Sequence, residues 1–240
     1  MPYYKITNKE ENHHGFQYED GLNVLTDEFK EQGSCVAGGL YFTNEKYIFR
    51  FFNFGIYLRE IFLPTDNPKF KMVQDPDADK WRANMIILGK RHKLANIETI
   101  KFLIDNGADI HFNNEYLLQW ASSHGYLDIV QHLVQCEADI HICNEHALYL
   151  AAKNCYFDVA IFLIQKGANI HANNDDALMS ACIYGCLDTV RFLVKSGADV
   201  HARNDEAIKL AYEYNHDDVI KFLIASGANR NNTGCCPIKY

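Results

Sequence analysis

No run of basic residues occurs anywhere in this chain of 240 residues, whose formal net charge is −8. A general nucleic-acid binder carries a basic patch or stripe, so nucleic acid is not the expected partner. No apolar run approaches the roughly 18 residues that a membrane-spanning helix needs. The start, Met1-Pro2-Tyr3-Tyr4-Lys5, lacks the apolar core of a signal peptide. An intracellular protein without membrane association is therefore expected. Cys-x-x-Cys pairs are absent. The eight cysteines stand at 35, 136, 143, 155, 182, 186, 235 and 236, and without a secretory signal they are expected as reduced thiols. Cys182 and Cys186 are four apart on one expected helix and read as two small apolar side chains rather than metal ligands. No phosphate-binding Gly-rich loop, nucleophile elbow or zinc-protease helix occurs. No catalytic residue, cofactor or metal is expected.

What the chain does have is a phrase that returns every 30 residues: Gly-Ala-Asp-Ile-His at 107–111, Glu-Ala-Asp-Ile-His at 137–141, Gly-Ala-Asn-Ile-His at 167–171, Gly-Ala-Asp-Val-His at 197–201, then Gly-Ala-Asn at 227–229. Self-similarity at a fixed period of this size means a stack of supersecondary units. Before each phrase sits an apolar triplet whose central residue is Leu103, Leu133, Leu163, Leu193 or Leu223, with Ile100, Val130, Ala160, Val190 or Ile220 three positions earlier. That spacing makes one helical face. Glu98, Asp128, Asp158, Asp188 and Asp218 open these helices, where an acid complements the positive helix end. An earlier helix in each period pairs Leu118 with Ala121, Leu148 with Ala151, Leu178 with Ala181 and Ile208 with Ala211; the small Ala lets a neighbouring helix approach closely. Gly125, Gly185 and Asn215 are expected helix C-caps, and two positions break the rule: Glu137 replaces a helix-terminal Gly, and Cys155 takes the slot of Gly125 and Gly185.

Gly-Ala-Asp-Val-His-Ala, then Ala-Leu-x-x-Ala, then Leu-Asp-x-Val-x-Phe-Leu, resembles the ankyrin repeat. Family repeats run about 33 residues; these run 30, and the missing three fall in the hairpin. The family's Thr-Pro-Leu-His is replaced by Asp176-Ala177-Leu178-Met179. The 30-residue form with His after Asp-Ile or Asp-Val is similar to ankyrin proteins of giant DNA viruses of the mimivirus type. The resemblance covers roughly residues 97–230.

The N-terminal third follows other rules. More than half of all Phe and Tyr residues lie within the first 73 positions. Runs at 3–6, 40–43, 47–54, 56–63 and 70–73 read as strands divided by Gly, Asn and Pro, and 21–32 as a short helix. Residues 75–79 read as a boundary loop. The stretch 81–94 reads as a strand ending in a short helix at 90–94, with a first ankyrin-type helix as the alternative. The expected fold class is thus α + β in two parts: a β-rich domain at 1–92, an all-α ankyrin solenoid at 93–230 (a half repeat plus four repeats of 30), and a tail at 231–240.

His111, His141, His171 and His201 recur once per unit and invite a metal ladder. Stacked units lie about 10 Å apart, whereas zinc ligands converge at about 2 Å from the ion, so neighbouring rungs cannot share one. In the family this slot usually holds Asn, which bonds across hairpins; His, with a donor and an acceptor, can do the same. Recognition is expected instead from residues that vary between units on the concave face: Gln119 and Ser123, Tyr149 and Lys153, Met179 and Ile183, Lys209 and Glu213. The resemblance implies a non-catalytic protein-interaction module or adaptor, and its viral kin imply a host protein as partner and host cytoplasm as compartment. The alternative is an enzyme in the N-terminal domain: Gly38-Gly39-Leu40-Tyr41-Phe42-Thr43 faintly resembles a strand of ADP-ribosyltransferase-type folds, with the array then selecting substrate.

Overall fold

The computed structural model of the chain describes residues 2–32, 38–76 and 79–229. Cys35, Cys235, Cys236, part of the 75–79 loop and the 231–240 tail lie outside the described residues. The fold class is α + β: a β-sheet region at residues 3–93 is followed by paired helices from 97 to 225. Two compact units form, one over 1–116 and one from Leu117 onward.

In the first unit, β1 (Tyr3–Thr7), β4 (Gly21–Val24), β5 (Leu40–Asn44), β6 (Tyr57–Phe62), β7 (Met72–Gln74), β8 (Trp81–Ala83) and β9 (Met85–Lys93) build one sheet in the order β4-β9-β6-β1-β5-β8-β7, and β2 (Asn12–His13) pairs with β3 (Phe16–Gln17) apart from it. Every pairing is antiparallel. Tyr18, Leu40, Phe42, Ile61, Ala83, Ile86 and Leu88 form a core over one face. On the other, Phe102 of α1 (Ile97–Asp105) meets the Tyr4 ring edge-on at 6.2 Å and stacks on His92 at 5.2 Å. The first helix therefore sets Phe102 against the sheet of its own unit.

Four expectations for this region fail, the first three for local reasons. The supposed strand at 47–54 is a 3-10 helix, Glu45–Phe54, because its buried residues are Ile48, Phe49 and Phe52, the i, i+1, i+4 spacing of a helical face rather than alternation. The supposed helix at 21–32 is strand β4 at its start, with no helix among the described residues that follow. There the Asn23 amide donates to the carbonyls of Glu19 and Gly21 and its oxygen accepts from the Glu19 N–H, side-chain bonds that compete with a helix. The supposed helix at 90–94 is the end of β9, since His92 and Lys93 pair with Leu58 and Tyr57 of β6. The single strand expected at 81–94 is instead two, β8 and β9, divided at Asn84 and paired with different neighbours.

The helical array follows its sequence pattern. The first-position helices are α2 (Phe112–His124), α4 (Ile142–Lys153), α6 (Asp176–Ile183) and α8 (Ala202–Glu213). The second-position helices are α3 (Leu127–Gln135), α5 (Phe157–Gln165), α7 (Leu187–Lys195) and α9 (Asp217–Ala225). The paired residues Leu118 and Ala121, Leu148 and Ala151, Leu178 and Ala181, and Ile208 and Ala211 are all buried, as are Leu133, Leu163, Leu193 and Leu223. Each helix hides one stripe against its neighbours, the condition for a stable stack.

A register of 31 residues runs through the turns joining paired helices. The tight residue ending each first helix (Gly125, Cys155, Gly185, Asn215) has φ between 58° and 73°. The residue opening the second helix of the next unit lies over it: a Cβ on Gly125 would strike the Tyr156 ring at 2.3 Å, and one on Gly185 the His216 ring at 2.4 Å. In the intervening layer the same two slots hold Cys155 and Cys186, and there a disulfide closes across 31 residues. The expectation of reduced thiols fails here, and so does the placing of Cys186 beside Cys182 on one helix: Cys186 is the N-cap of α7. Cys182 stays free and buried, its thiol pushed up to about 12 by burial.

Two stability predictions follow from this backbone. Glu137 adopts φ 66° in the slot where Gly167, Gly197 and Gly227 adopt φ of 101°, 109° and 103°. A left-handed conformation costs a side-chain-bearing residue roughly 1–2 kcal/mol, so Glu137→Gly should raise the urea midpoint; an unchanged or lower midpoint contradicts this account. Cross-linking a loop of this length restricts the unfolded chain by about 3.5 kcal/mol in the chain-entropy picture. Adding a phosphine reductant should lower unfolding stability by roughly 2–4 kcal/mol, with alkylation and peptide mass mapping locating the freed thiols at Cys155 and Cys186.

Candidate partner-binding site

Each hairpin that links one helix pair to the next contains three consecutive left-handed residues: 113–115, 143–145, 173–175 and 203–205, with φ between 50° and 62° and none of them Gly. Asn occupies the central position in all four and tolerates this conformation better than most side chains. The turn is closed by two bonds. First, the residue two before each His, Asp109, Asp139, Asn169 or Asp199, accepts a hydrogen bond on Oδ1 from the His N–H at 2.8–3.0 Å. Second, Nδ1–H of His111, His141, His171 and His201 donates to the carboxylate four residues on: Glu115 at 2.6 Å, Glu145 at 2.7 Å, Asp175 at 3.0 Å and Asp205 at 2.8 Å.

The repeated histidines were expected to bond across hairpins. They bond within their own, and the acid carries the bridge: Asp175 accepts from the Asp199 N–H at 3.1 Å, and Asp205 from the Asn229 N–H at 3.2 Å. The four acids are buried while the imidazoles are more than half exposed. These carboxylates are the residues that reading the sequence missed, and their signal is plain once known: an acid four places after every repeated His. Among the described residues no group of three or more His, Cys, Asp and Glu is placed to hold a metal ion.

The remaining proposed contact residues lie along the first-position helices. Gln119, Ser123, Tyr149, Lys153, Ile183 and Lys209 are half-buried and Glu213 is exposed. Met179 is 2% exposed, so its side chain packs inside the array and offers no surface. Tyr149 stacks on His146 at 5.4 Å, and both line a recess of about 210 Å³ between the hairpins at 143–145 and 173–175, together with Asn144, Ile170, Asn173 and Asp176. Lys153 Nζ stands 5.7 Å over the Tyr184 ring. Tyr184 and Tyr214, the C-caps of α6 and α8, are each 49% exposed. They occupy the slot held by His124 and Asn154 in earlier units, and that variation was legible. Lys209 is committed to its own hairpin through the Asn204 carbonyl at 2.6 Å. Among the described residues no helix is long and apolar enough to cross a membrane.

Comparison with known proteins agrees with this geometry. A family model for ankyrin repeats matches three times, at residues 91–174, 117–204 and 178–240. The chain is 50% identical over 129 residues to an ankyrin repeat protein of Acanthamoeba polyphaga mimivirus designated R868, covering 53% of this chain and 63% of that one. It is also 50% identical over 129 residues to the uncharacterised protein R869 of the same virus, covering 53% of this chain and 93% of the relative. A third relative from that virus, ankyrin repeat protein R229, is 46% identical over 124 residues, covering 50% of this chain and 40% of its own length. The chain thus spans under two thirds of R868 and R229.

The clasp predicts a pH dependence. Glu145 bonding to His141 raises the imidazole pKa above its ordinary 6.5. A group with a raised folded pKa adds stability that is whole below the unfolded value and lost as pH rises through the folded one. The stability difference between the natural chain and His141→Gln, whose amide keeps a donor but no titration, should therefore be largest near pH 5.5–6 and shrink above pH 7. Thermal unfolding of the two proteins in parallel checks this; a constant gap across that range contradicts it.

Proposed function

Because the chain belongs to the ankyrin repeat family, we propose that it is a non-catalytic interaction module, and that residues 93–230 dock a protein partner on the concave face made by the hairpins and first-position helices. The observation that carries this reading is the line of exposed or half-buried side chains that differ from unit to unit over a buried framework that does not. Tyr149 sits over the recess, Tyr184 and Tyr214 follow in later units, and Lys153 stands beside Tyr184. Aromatic anchors flanked by charge are what protein interfaces favour, a few of them carrying most of the affinity. Gln119, Ser123, Ile183 and Glu213 fill out the surface. A host protein met inside the infected cell is the occupant we propose, on the strength of the viral relatives, with the sheet region at 1–92 recruiting a second partner.

The enzymatic alternative has one supporting feature. Strand β5, which carries Tyr41-Phe42-Thr43, lines a cavity in the first unit. Turnover of labelled NAD by the purified chain would favour it over the adaptor.

The interaction reading is tested by Tyr149→Ala combined with Tyr184→Ala. Neither side chain belongs to the buried core, so the thermal midpoint should move little. Truncating aromatic hot spots costs about 2 kcal/mol or more each, so proximity labelling in infected cells should lose specific partners at least tenfold. A double variant that folds normally and retains every partner sinks the proposal.

A further inference from the structure

A cavity of about 270 Å³ opens within the first unit, between β1, β5 and the β2–β3 hairpin, with the 3-10 helix on its far wall. Its polar lining is of one sign. Lys5, His13, His14 and Lys80 border it, and no Asp or Glu does so among the described residues. Its apolar wall includes Phe51 and Phe54, the latter 70% exposed.

Two buried basic side chains gather on Tyr41, which also lines the cavity. Lys5 is 5% exposed; its Nζ donates to the Tyr41 carbonyl at 2.9 Å and stands 4.5 Å over the Tyr18 ring. Arg82 is fully buried; its Nη1 donates to the Tyr41 hydroxyl at 3.3 Å, while its Nε and Nη2 find no hydrogen-bond partner in the described structure. Neither side chain has a carboxylate partner among the described residues. By contrast Arg59, the other buried guanidinium of this sheet, is paired with Glu11 and Asp20, and Lys80 has Asp75 at 3.8 Å. A buried charge ordinarily requires a counter-charge, and without one burial lowers the Lys5 pKa to about 7. The local field has a consequence next door: burial first, then Lys5, His14 and Lys80, lower the His13 pKa to about 3.

We propose that this cavity binds a small organic anion, its oxyanion head set against Lys5, His14 and Lys80 and its flat apolar part against Phe51 and Phe54. The site lies within the first unit and needs no catalysis. The anion supplies the negative charge that the lining lacks, and the aromatic wall selects an aryl or similarly flat group over a bare inorganic ion. A carboxylate and a phosphate monoester share this chemistry.

The test uses the full chain and four probes of one size class at fixed ionic strength: benzoate, phenyl phosphate, benzyl alcohol and benzylamine, followed by amide-shift titration. Saturable binding of benzoate or phenyl phosphate is expected, at least about tenfold tighter than benzyl alcohol, with shifts centred on β1, β5 and the β2–β3 hairpin and with benzylamine silent. The stronger of the two anions tells carboxylate from phosphate recognition. Lys5→Met should weaken binding about tenfold or more. Because that residue is buried, Lys80→Met and His14→Ala are measured beside it, each expected to weaken binding severalfold in a chain whose near-ultraviolet dichroism is unchanged. The proposal is overturned if neither anion binds saturably, if benzyl alcohol binds as tightly as benzoate, or if Lys80→Met and His14→Ala leave anion binding unaltered.

Discussion

The array depends on how its hairpins stay closed. Three left-handed residues in a row, without glycine, work against the ordinary preference of L-amino acids, at roughly 1–2 kcal/mol each for most residue types and less for Asn and Asp. The imidazole–carboxylate clasp answers that cost where it arises. Its acid is buried, so the bond forms away from competing water, where an unmatched carboxylate would be expensive. Where the acid also accepts from the next hairpin, as Asp175 and Asp205 do, one carboxylate fixes both the shape of a turn and the offset of its neighbour. Short hairpins are thereby compatible with regular stacking.

That clasp explains why the helices could be read so fully from their pattern while the hairpins could not. Leu and Ala three apart, acids at helix starts and a left-handed residue at helix ends are local rules, and each buried or capped residue expected from them is found buried or capped. The partnership of His141 with Glu145 is also local, four residues apart, but the ordinary helical reading of that spacing is two side chains on one helix face. Here the intervening residues wind the other way, which brings the same pair together by a different route. Cys155 and Cys186 were missed for the opposite reason. The informative distance was one repeat plus one residue, whereas Cys182 and Cys186 drew attention by lying close in sequence.

The sheet region was legible in composition and only partly in detail. Aromatic crowding identified a β-rich unit, and the strands over 3–7, 40–44 and 57–62 fall where aromatic and β-branched runs put them. The 3-10 helix defeated that logic because Phe49 and Phe52 are as suited to strands as to helices, and only the burial of Ile48 and Phe49 side by side distinguishes the two. Strand β4 defeated it because an edge strand needs few apolar residues of its own; Leu22 and Val24 are exposed and the buried residue between them is Asn23. Its pairing with β9 is non-local, set by tertiary context rather than by propensity.

The two units therefore divide the work in a physically sensible way. In the array, charge is spent on geometry: the four clasp acids are buried, and each accepts a hydrogen bond from an imidazole of its own hairpin. What is left to face a partner is aromatic and variable, with little constraint from folding. In the sheet unit, Lys5 and Arg82 meet at Tyr41 with no carboxylate partner among the described residues. Arg59 of the same sheet is, by contrast, set against Glu11 and Asp20. A buried guanidinium with no carboxylate partner among the described residues, and a lysine whose pKa burial has lowered to about 7, stand beside a cavity; an arriving anion would relieve the cost of burying both.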